Sequence, residues 1–188
     1  LKEIAQGDDA ADVRAAAVSA LGSFVLLGEY EEIDLSEASH LVDMLNGIWF
    51  DEAEEWSVRR RALESLGNSS APGVYEIIAD AYDSPDPEVR ASAVFAMGRT
   101  CDRDRWGETV RRELSSTDDM IRYEAVRAAG ELELRQSVTT LNNMALNDNG
   151  DIRKAAIWSL GEIGGPQAQR YLSTIAEIVE ETSGDAEL

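Results

Sequence analysis

The sequence predicts an all-α protein, a right-handed α-solenoid (an α–α superhelix) of about five helical hairpins. Three observations carry that reading. One amphipathic segment is written five times with an Arg, an Ala and a Gly at fixed offsets. The copies are spaced 45, 31, 32 and 31 residues apart, the period of stacked hairpins, each of which needs neighbours to bury its apolar face. Composition agrees: 44% of the 188 residues are apolar, only four are Pro, and good helix formers abound.

The copies align on Arg14, Arg59, Arg90, Arg122 and Arg153, each preceded by Val or Ile. Three residues on stand Ala17, Ala62, Ala93, Ala125 and Ala156, each followed by an aliphatic residue. Eight residues past the Arg stand Gly22, Gly67, Gly98, Gly130 and Gly161. The aliphatic positions share one helical stripe fit for burial. The constant Ala marks a crossing too close for a larger side chain. The Gly is expected to end the helix in a left-handed conformation that Gly alone adopts freely. Asp86, Asp118 and Asn149 are expected N-caps, with Pro87 at the first helical position. This recurring segment is helix A of each hairpin.

The elements follow in order. "LKEIAQGDD" parallels "LNNMALNDN", so residues 1–6 read as the second helix, B, of a partial repeat. The opening Leu suggests an excised or processed piece. The first complete repeat, 10–49, is longer than the rest. The excess is expected as an insertion of a helical turn or more plus a loop, within "FVLLGEYEEIDLSEASHLVDMLNGIWFDEAEEW". Three repeats at 53–83, 86–116 and 118–147 follow, then one at 149–181. Their B helices place Val74, Ile78 and Ala81, then Val110 and Leu114, then Val138, Leu141 and Ala145, then Ala168, Leu172, Ile175 and Val179 on single faces. Residues 1–181 thus form one repeat domain, and 182–188 a frayed tail.

The helix "(D/E)-V-R-x-x-A-(V/L)-x-x-(L/M)-G" resembles HEAT-like repeats, in the short variety of about 30 residues found in bilin-lyase-related proteins. The resemblance spans Leu1 to about Glu181. It implies that the five arginines bond to acidic or carbonyl groups of adjacent turns as a ladder, with Asp8, Asp83, Asp118 and Asp148 as candidate partners. It also implies an enzyme alternative, a bilin-lyase-like protein that handles a tetrapyrrole and passes it to a protein cysteine. No residue set here compels that chemistry. Deoxyhypusine hydroxylase, built from the same repeats, holds two irons with several His-Glu pairs. Here His40 is the only histidine and is followed by Leu, which excludes that site.

Composition bounds the partner. The chain carries 37 carboxylates against 17 Lys and Arg, a net charge of −20, which repels nucleic-acid phosphates. Only Lys2 and Lys154 are lysines, a pattern that suits a salt-rich cytoplasm as well as ordinary acidic proteins. The single Cys101 makes no internal disulfide and fits a reducing, cytoplasmic setting. No uninterrupted apolar run reaches the ~20 residues of a membrane span, and no signal peptide is visible. "NDNGD" fails as a calcium loop, because Gly150 at the sixth position would put Ala145 and Ala156 at the first and twelfth.

No catalytic, cofactor-binding or metal-binding residues are assigned, and no cofactor. The expected function is non-catalytic: a protein-interaction module or scaffold using the concave face, or else a regulatory repeat domain of a larger protein. Aligning the B helices gives the expected contact strip, for a protein or peptide. It comprises Glu76, Asp80, Glu108, Arg111, Arg112, Thr139, Asn142, Asn143, Arg170, Ser173 and Thr174. Trp106, amid Arg103, Arg105, Arg111 and Arg112, is added as a binding anchor, weighed against simple packing between repeats. A second aromatic group, Trp49, Phe50 and Trp56, lies in the long repeat as wedge filler or an exposed patch.

Overall fold

The computed structural model describes residues 1–184, with side chains through Glu180. Of the expected frayed tail, 185–188 lie outside the described residues, and 182–184 belong to the last helix. The helices are α1 (Lys2–Gly7), α2 (Ala11–Glu29), α3 (Leu35–Phe50), α4 (Trp56–Leu66), α5 (Val74–Tyr82) and α6 (Pro87–Arg99). They continue with α7 (Arg103–Glu113), α8 (Asp119–Glu131), α9 (Val138–Asn147), α10 (Gly150–Ile163) and α11 (Gly165–Gly184), with a 3₁₀ turn at Arg135–Ser137 before α9. The even-numbered helices are the A helices and the odd-numbered ones the B helices. There is no strand among the described residues. Two compact units form, Leu1–Thr100 with α1–α6 and Cys101–Leu188 with α7–α11.

Helix starts follow the expected capping chemistry. The Asp86 carboxylate accepts from the Glu88 N–H, with Pro87 next in line. Asp118 accepts from Met120 and Ile121, and Asn149 from Asp151 and Ile152. Each cap satisfies backbone donors that the first turn leaves open. The five alanines are all buried, 4% exposed at most. Of the aliphatic residues before each Arg, Val58, Ile121 and Ile152 are buried, Val89 is half-buried and Val13 is exposed.

The fixed glycines do a different job from the one expected. None has a positive φ; among the described residues the left-handed glycines are Gly73, Gly164 and Gly165. Gly22 lies inside α2 and Gly130 inside α8, while Gly67 closes α4 with a right-handed φ of −57°. What they provide is space. A Cβ on Gly22 would sit 2.7 Å from Ser65 Oγ, on Gly67 2.7 Å from the Ala96 carbonyl oxygen, and on Gly130 2.8 Å from Ser159 Oγ. Each contact joins one A helix to the next. The partner always stands six residues past its own Arg, so the seam is a glycine against Ser or Ala. Serine adds a bond, because Ser65 Oγ donates to the Val18 carbonyl and Ser159 Oγ to that of Val126.

Left-handed backbone does occur, three residues beyond the glycine, at Cys101 (φ 54°), Glu133 (φ 49°) and Gly164 (φ 60°). Two of these turns accept a side-chain residue where glycine is the unstrained choice.

The long first repeat is not a looped insertion. It is a lengthening of both helices: α2 has 19 residues against 11 in α4, and α3 has 16 against 9 in α5. The extended arms cross closely at Gly28, where a Cβ would meet Ala38 Cβ. By length and composition alone α2 is apolar enough to cross a membrane, contrary to the count of uninterrupted apolar runs. In the fold its Ala17, Val18, Leu21 and Val25 are buried among α1, α3 and α4.

Four of the arginines reach back to a backbone carbonyl that precedes their own helix. Arg14 donates to the Asp8 carbonyl (2.7 Å), Arg59 to that of Trp49 (3.0 Å), Arg122 to that of Ser116 (2.8 Å) and Arg153 to that of Asp148 (3.2 Å). Arg90 lies over the Tyr82 ring. Two also reach forward to an acid in the next turn: Arg14 pairs with Glu54 (2.7 Å) and Arg122 with Asp148 (3.2 Å). Of the expected acids, Asp148 therefore serves by carboxylate and Asp8 by carbonyl. Asp118 is a helix cap, and Arg122 takes Asp119 beside it.

Candidate protein-binding face

The B helices carry the expected strip, and each unit presents its own part. In the first unit, Glu76 and Asp80 stand four apart on α5 and are both exposed, above buried Val74, Ile78 and Ala81. Beside α3 lies an acidic cleft of about 390 Å³ bordered by Gln6, Asp43, Met44, Ile48, Asp51 and Glu54. The strip as read from sequence missed Asp43 and Asp51. Placing Leu45 of α3 in register with Ile78 would have found Asp43, since it then matches Glu76.

In the second unit, Glu108, Arg111 and Arg112 are exposed on α7, Thr139 and Asn143 on α9, and Arg170, Ser173 and Thr174 on α11; Asn142 is half-buried. Several are braced. Arg111 donates to Gln136 Oε1 (2.6 Å) and to the Gly107 carbonyl (3.3 Å). Gln167 donates to Thr139 Oγ1, which ties α11 to α9. Asn147 donates to Asn143 Oδ1, and Thr174 Oγ1 to the Arg170 carbonyl. The hydrogen bonds with Gln167 and then Thr139 hold the Tyr171 hydroxyl below its usual pKa.

Arg103, Glu108 and Arg111 come together in a cleft of about 460 Å³ between α7 and the turn before α9. Asp104, Glu133 and Arg135 also border it, so three guanidinium groups and three carboxylates line the cleft. Arg103 is anchored by the Leu132 carbonyl (2.8 Å) and by Glu133 (3.4 Å). Such a cleft suits a polar chain offering both donors and acceptors.

Trp106 does not serve as an anchor for a partner. It is only 6% exposed, and the Arg105 guanidinium lies 5.1 Å over its ring. The indole is packed, so no face is left to offer. The second aromatic group divides. Trp49 is buried beneath Arg59 and packs against Trp56, whose indole N–H donates to Glu88, while Phe50 is exposed. His40 is exposed on α3 and Cys101 is exposed at a turn. No group of three metal-donor side chains occurs among the described residues.

A family model described as HEAT repeats matches residues 38–105 and 107–181. Two solved structures are similar in fold. One is the crystal structure of an engineered protein, 19% identical, covering 94% of this chain and 85% of that one, with a TM-score of 0.54. The other is a designed armadillo repeat protein in complex with the peptide (KR)4, 15% identical, covering 94% and 87%, with a TM-score of 0.50. No curated protein matches the chain. The fold is an all-α repeat solenoid.

Proposed function

We infer, from the premise that this chain belongs to the HEAT-repeat family, that it is a non-catalytic scaffold that binds another protein or peptide along its B helices. The observation that carries the reading is the division of labour around each hairpin. The A helices pack on one another through glycine and small residues, at Gly22–Ser65, Gly67–Ala96 and Gly130–Ser159. The B helices bury one face and expose a row of polar side chains braced by hydrogen bonds. Preorganised polar groups lose less freedom on binding than loose ones. The similar designed armadillo repeat protein is in complex with a peptide, which supports the reading.

Charge refines the partner. On the first unit the row is acidic, with Asp43, Asp51, Glu76 and Asp80, and favours basic segments. On the second it is mixed, with Arg111, Arg112 and Arg170 beside Glu108 and the neutral Thr139 and Asn143. Complementary charge sets partner choice and association rate more than final affinity.

The test is affinity capture from native lysate with the wild-type chain, with Glu76→Lys/Asp80→Lys and with Arg111→Glu/Arg112→Glu. A charge reversal on the A side, Lys154→Glu, serves as control. Loss of a captured protein on either B-helix reversal, with retention by the control, supports the reading. Capture indifferent to both reversals removes the B-helix face as the site.

A further inference from the structure

The lengthened first hairpin leaves a cleft where it passes the α4–α5 turn. Leu66, where α4 stops, matches Leu21 in register, and α2 runs on from there to Glu29. The cleft has a volume of about 430 Å³ and lies wholly within the first unit, between α2, α3 and the turn at 69–72. Val25, Ala38, Val42 and Ala71 border it as apolar surface, and Glu29, Glu31 and Asp43 border it as acids. No lysine or arginine borders it. None of the three acids forms an ion pair among the described residues.

The walls are held in place. Glu29 Oε1 accepts from the Ser70 N–H (2.8 Å) and from Ser69 Oγ (3.3 Å), and Oε2 accepts from Ser70 Oγ (2.6 Å). These bonds tie the end of α2 to the α4–α5 turn, and they hold the carboxylate with neutral donors alone. Asn46 of α3 also borders the cleft, and its Oδ1 is enclosed without a hydrogen-bond partner. Folded proteins leave few buried acceptors unpaired, so this one calls for a donor that the chain itself does not bring.

The chemistry of the occupant follows by elimination. No three metal-donor side chains come together among the described residues, so a metal ion does not suit the site. An apolar floor beneath separated acids suits a long aliphatic stem that ends in a cation. Arginine reads a carboxylate through two parallel bonds, but both Glu29 oxygens are already engaged by the serines. An ammonium group donates three bonds in different directions and can share them among separate acceptors. We propose that this cleft takes a lysine side chain of a partner protein, with its stem on Val25 and Val42 and its ammonium held by the surrounding acids and Asn46. The proposal rests on the scaffold reading above and adds a defined pocket to it.

The test is an NMR titration of the full 188-residue chain, following backbone amides, with the peptide acetyl-Ala-Lys-Ala-amide and with acetyl-Ala-Gln-Ala-amide as the uncharged probe. The expected result is saturable shifts confined to the amides around Asn46, Ser69 and Ser70, with the lysine peptide alone. Asp43→Asn should weaken that binding by about 3–5-fold, the worth of one exposed ion pair. Glu31→Gly should weaken it as well while holding or raising thermal stability, because residue 31 has a left-handed φ of 57° that glycine adopts without strain. A fall in binding there is therefore not a loss of fold. Glu52→Gln/Asp80→Asn removes charge from exposed positions that do not border the cleft and should leave binding nearly unchanged. Shifts spread evenly over the acidic surface, or indifferent to Asp43→Asn and Glu31→Gly, overturn the proposal. Equal affinity for n-butylamine overturns it too, and assigns the cleft to a free amine. Glu76, Asp80, Arg111 and Arg112 do not border the cleft. Failure here thus leaves the lysate capture result standing, and capture indifferent to those reversals leaves this titration standing.

Discussion

Two glycines in the same register of the repeat should respond to alanine with opposite signs. A Cβ on Gly130 would lie 2.8 Å from Ser159 Oγ and 2.9 Å from both Cα and Cβ of that residue. Carbon atoms sit comfortably near 3.5 Å apart, so α8 and α10 must part by roughly 0.6 Å. The obstacle includes backbone, and a side-chain rotation cannot clear it. Overpacking of this kind costs about 1–3 kcal/mol. Alanine returns about 1 kcal/mol of helix propensity, so Gly130→Ala should destabilise by up to roughly 2 kcal/mol. At Gly161 the added methyl meets nothing, and Gly161→Ala should stabilise by about 0.5–1 kcal/mol. Urea denaturation followed by circular dichroism reads the difference. With a slope of about 2 kcal/mol per molar, the two midpoints should stand about 1 M apart. Shifts of the same sign and size would refute the seam as the reason for the glycine. A companion variant sharpens the reasoning: Ser159→Gly in the Gly130→Ala background should rescue only in part, because the backbone at residue 159 still obstructs the added methyl.

Two further outcomes follow from the geometry. Glu133 holds a left-handed φ of 49°, and its ion pair with Arg103 is long and exposed, so Glu133→Gly should stabilise by up to about 1 kcal/mol; a loss of stability in thermal melts would contradict the strain. Arg14 holds the Glu54 carboxyl below its usual value near 4.5 by a hydrogen bond, against the opposing effect of burial. Burial likewise pushes Asp148 upward, but the Asn149 N–H and Arg122 together outweigh it and keep it lowered. A carboxylate lowered in the folded state adds stability that is fully present above the unfolded value and is lost as pH falls through the folded one. Glu54→Gln should therefore flatten the decline in stability below about pH 4.5 and leave the neutral region's slope unchanged; an unaltered acid slope in urea midpoints measured from pH 7 to 3 would dismiss the pair.

Much of the fold was legible because stacking imposes the same constraint on each hairpin. The Ala after each Arg, the capping Asp86, Asp118 and Asn149, and the alternation of A and B helices could all be read in this way. The glycine was read at the right place for the wrong reason. A glycine near a helix end suggests a left-handed stop, whereas here its backbone stays right-handed and, at Gly22, Gly67 and Gly130, the missing side chain makes room for the next A helix. The partner position that would have corrected the reading is Ala20, Ser65, Ala96, Ala128 and Ser159, small in all five copies. It changes between Ala and Ser, so it does not stand out as an identity. The left-handed residue itself was invisible, because Cys101 and Glu133 do not advertise a positive φ. The long repeat misled for a related reason: seven or eight extra residues in each of two helices look, in a linear count, like one insertion.

The binding face was legible only as a direction, and the physics of repeats explains why. A residue that recurs at one register in each copy is held there by contacts between neighbouring hairpins, so it reports on stacking. A residue that distinguishes one hairpin from the next is free of that demand, and a partner can act on it. Glu76, Arg111, Asn142 and Ser173 stand near one another in register yet differ in charge, size and hydrogen-bonding capacity. Periodicity therefore points to where such residues stand and is silent on what they meet. Trp106 shows the converse hazard. Its prominence among arginines suggested an anchor, but a large aromatic on a helix whose neighbours are Gly107 and Val110 lies close to the packed face, and burial claimed it. At a given B-helix position, the side chain worth testing is the one whose loss would leave the stack intact. Arg111 meets that standard, since it is exposed and its hydrogen bonds reach Gln136 in a neighbouring turn and the Gly107 carbonyl of its own helix.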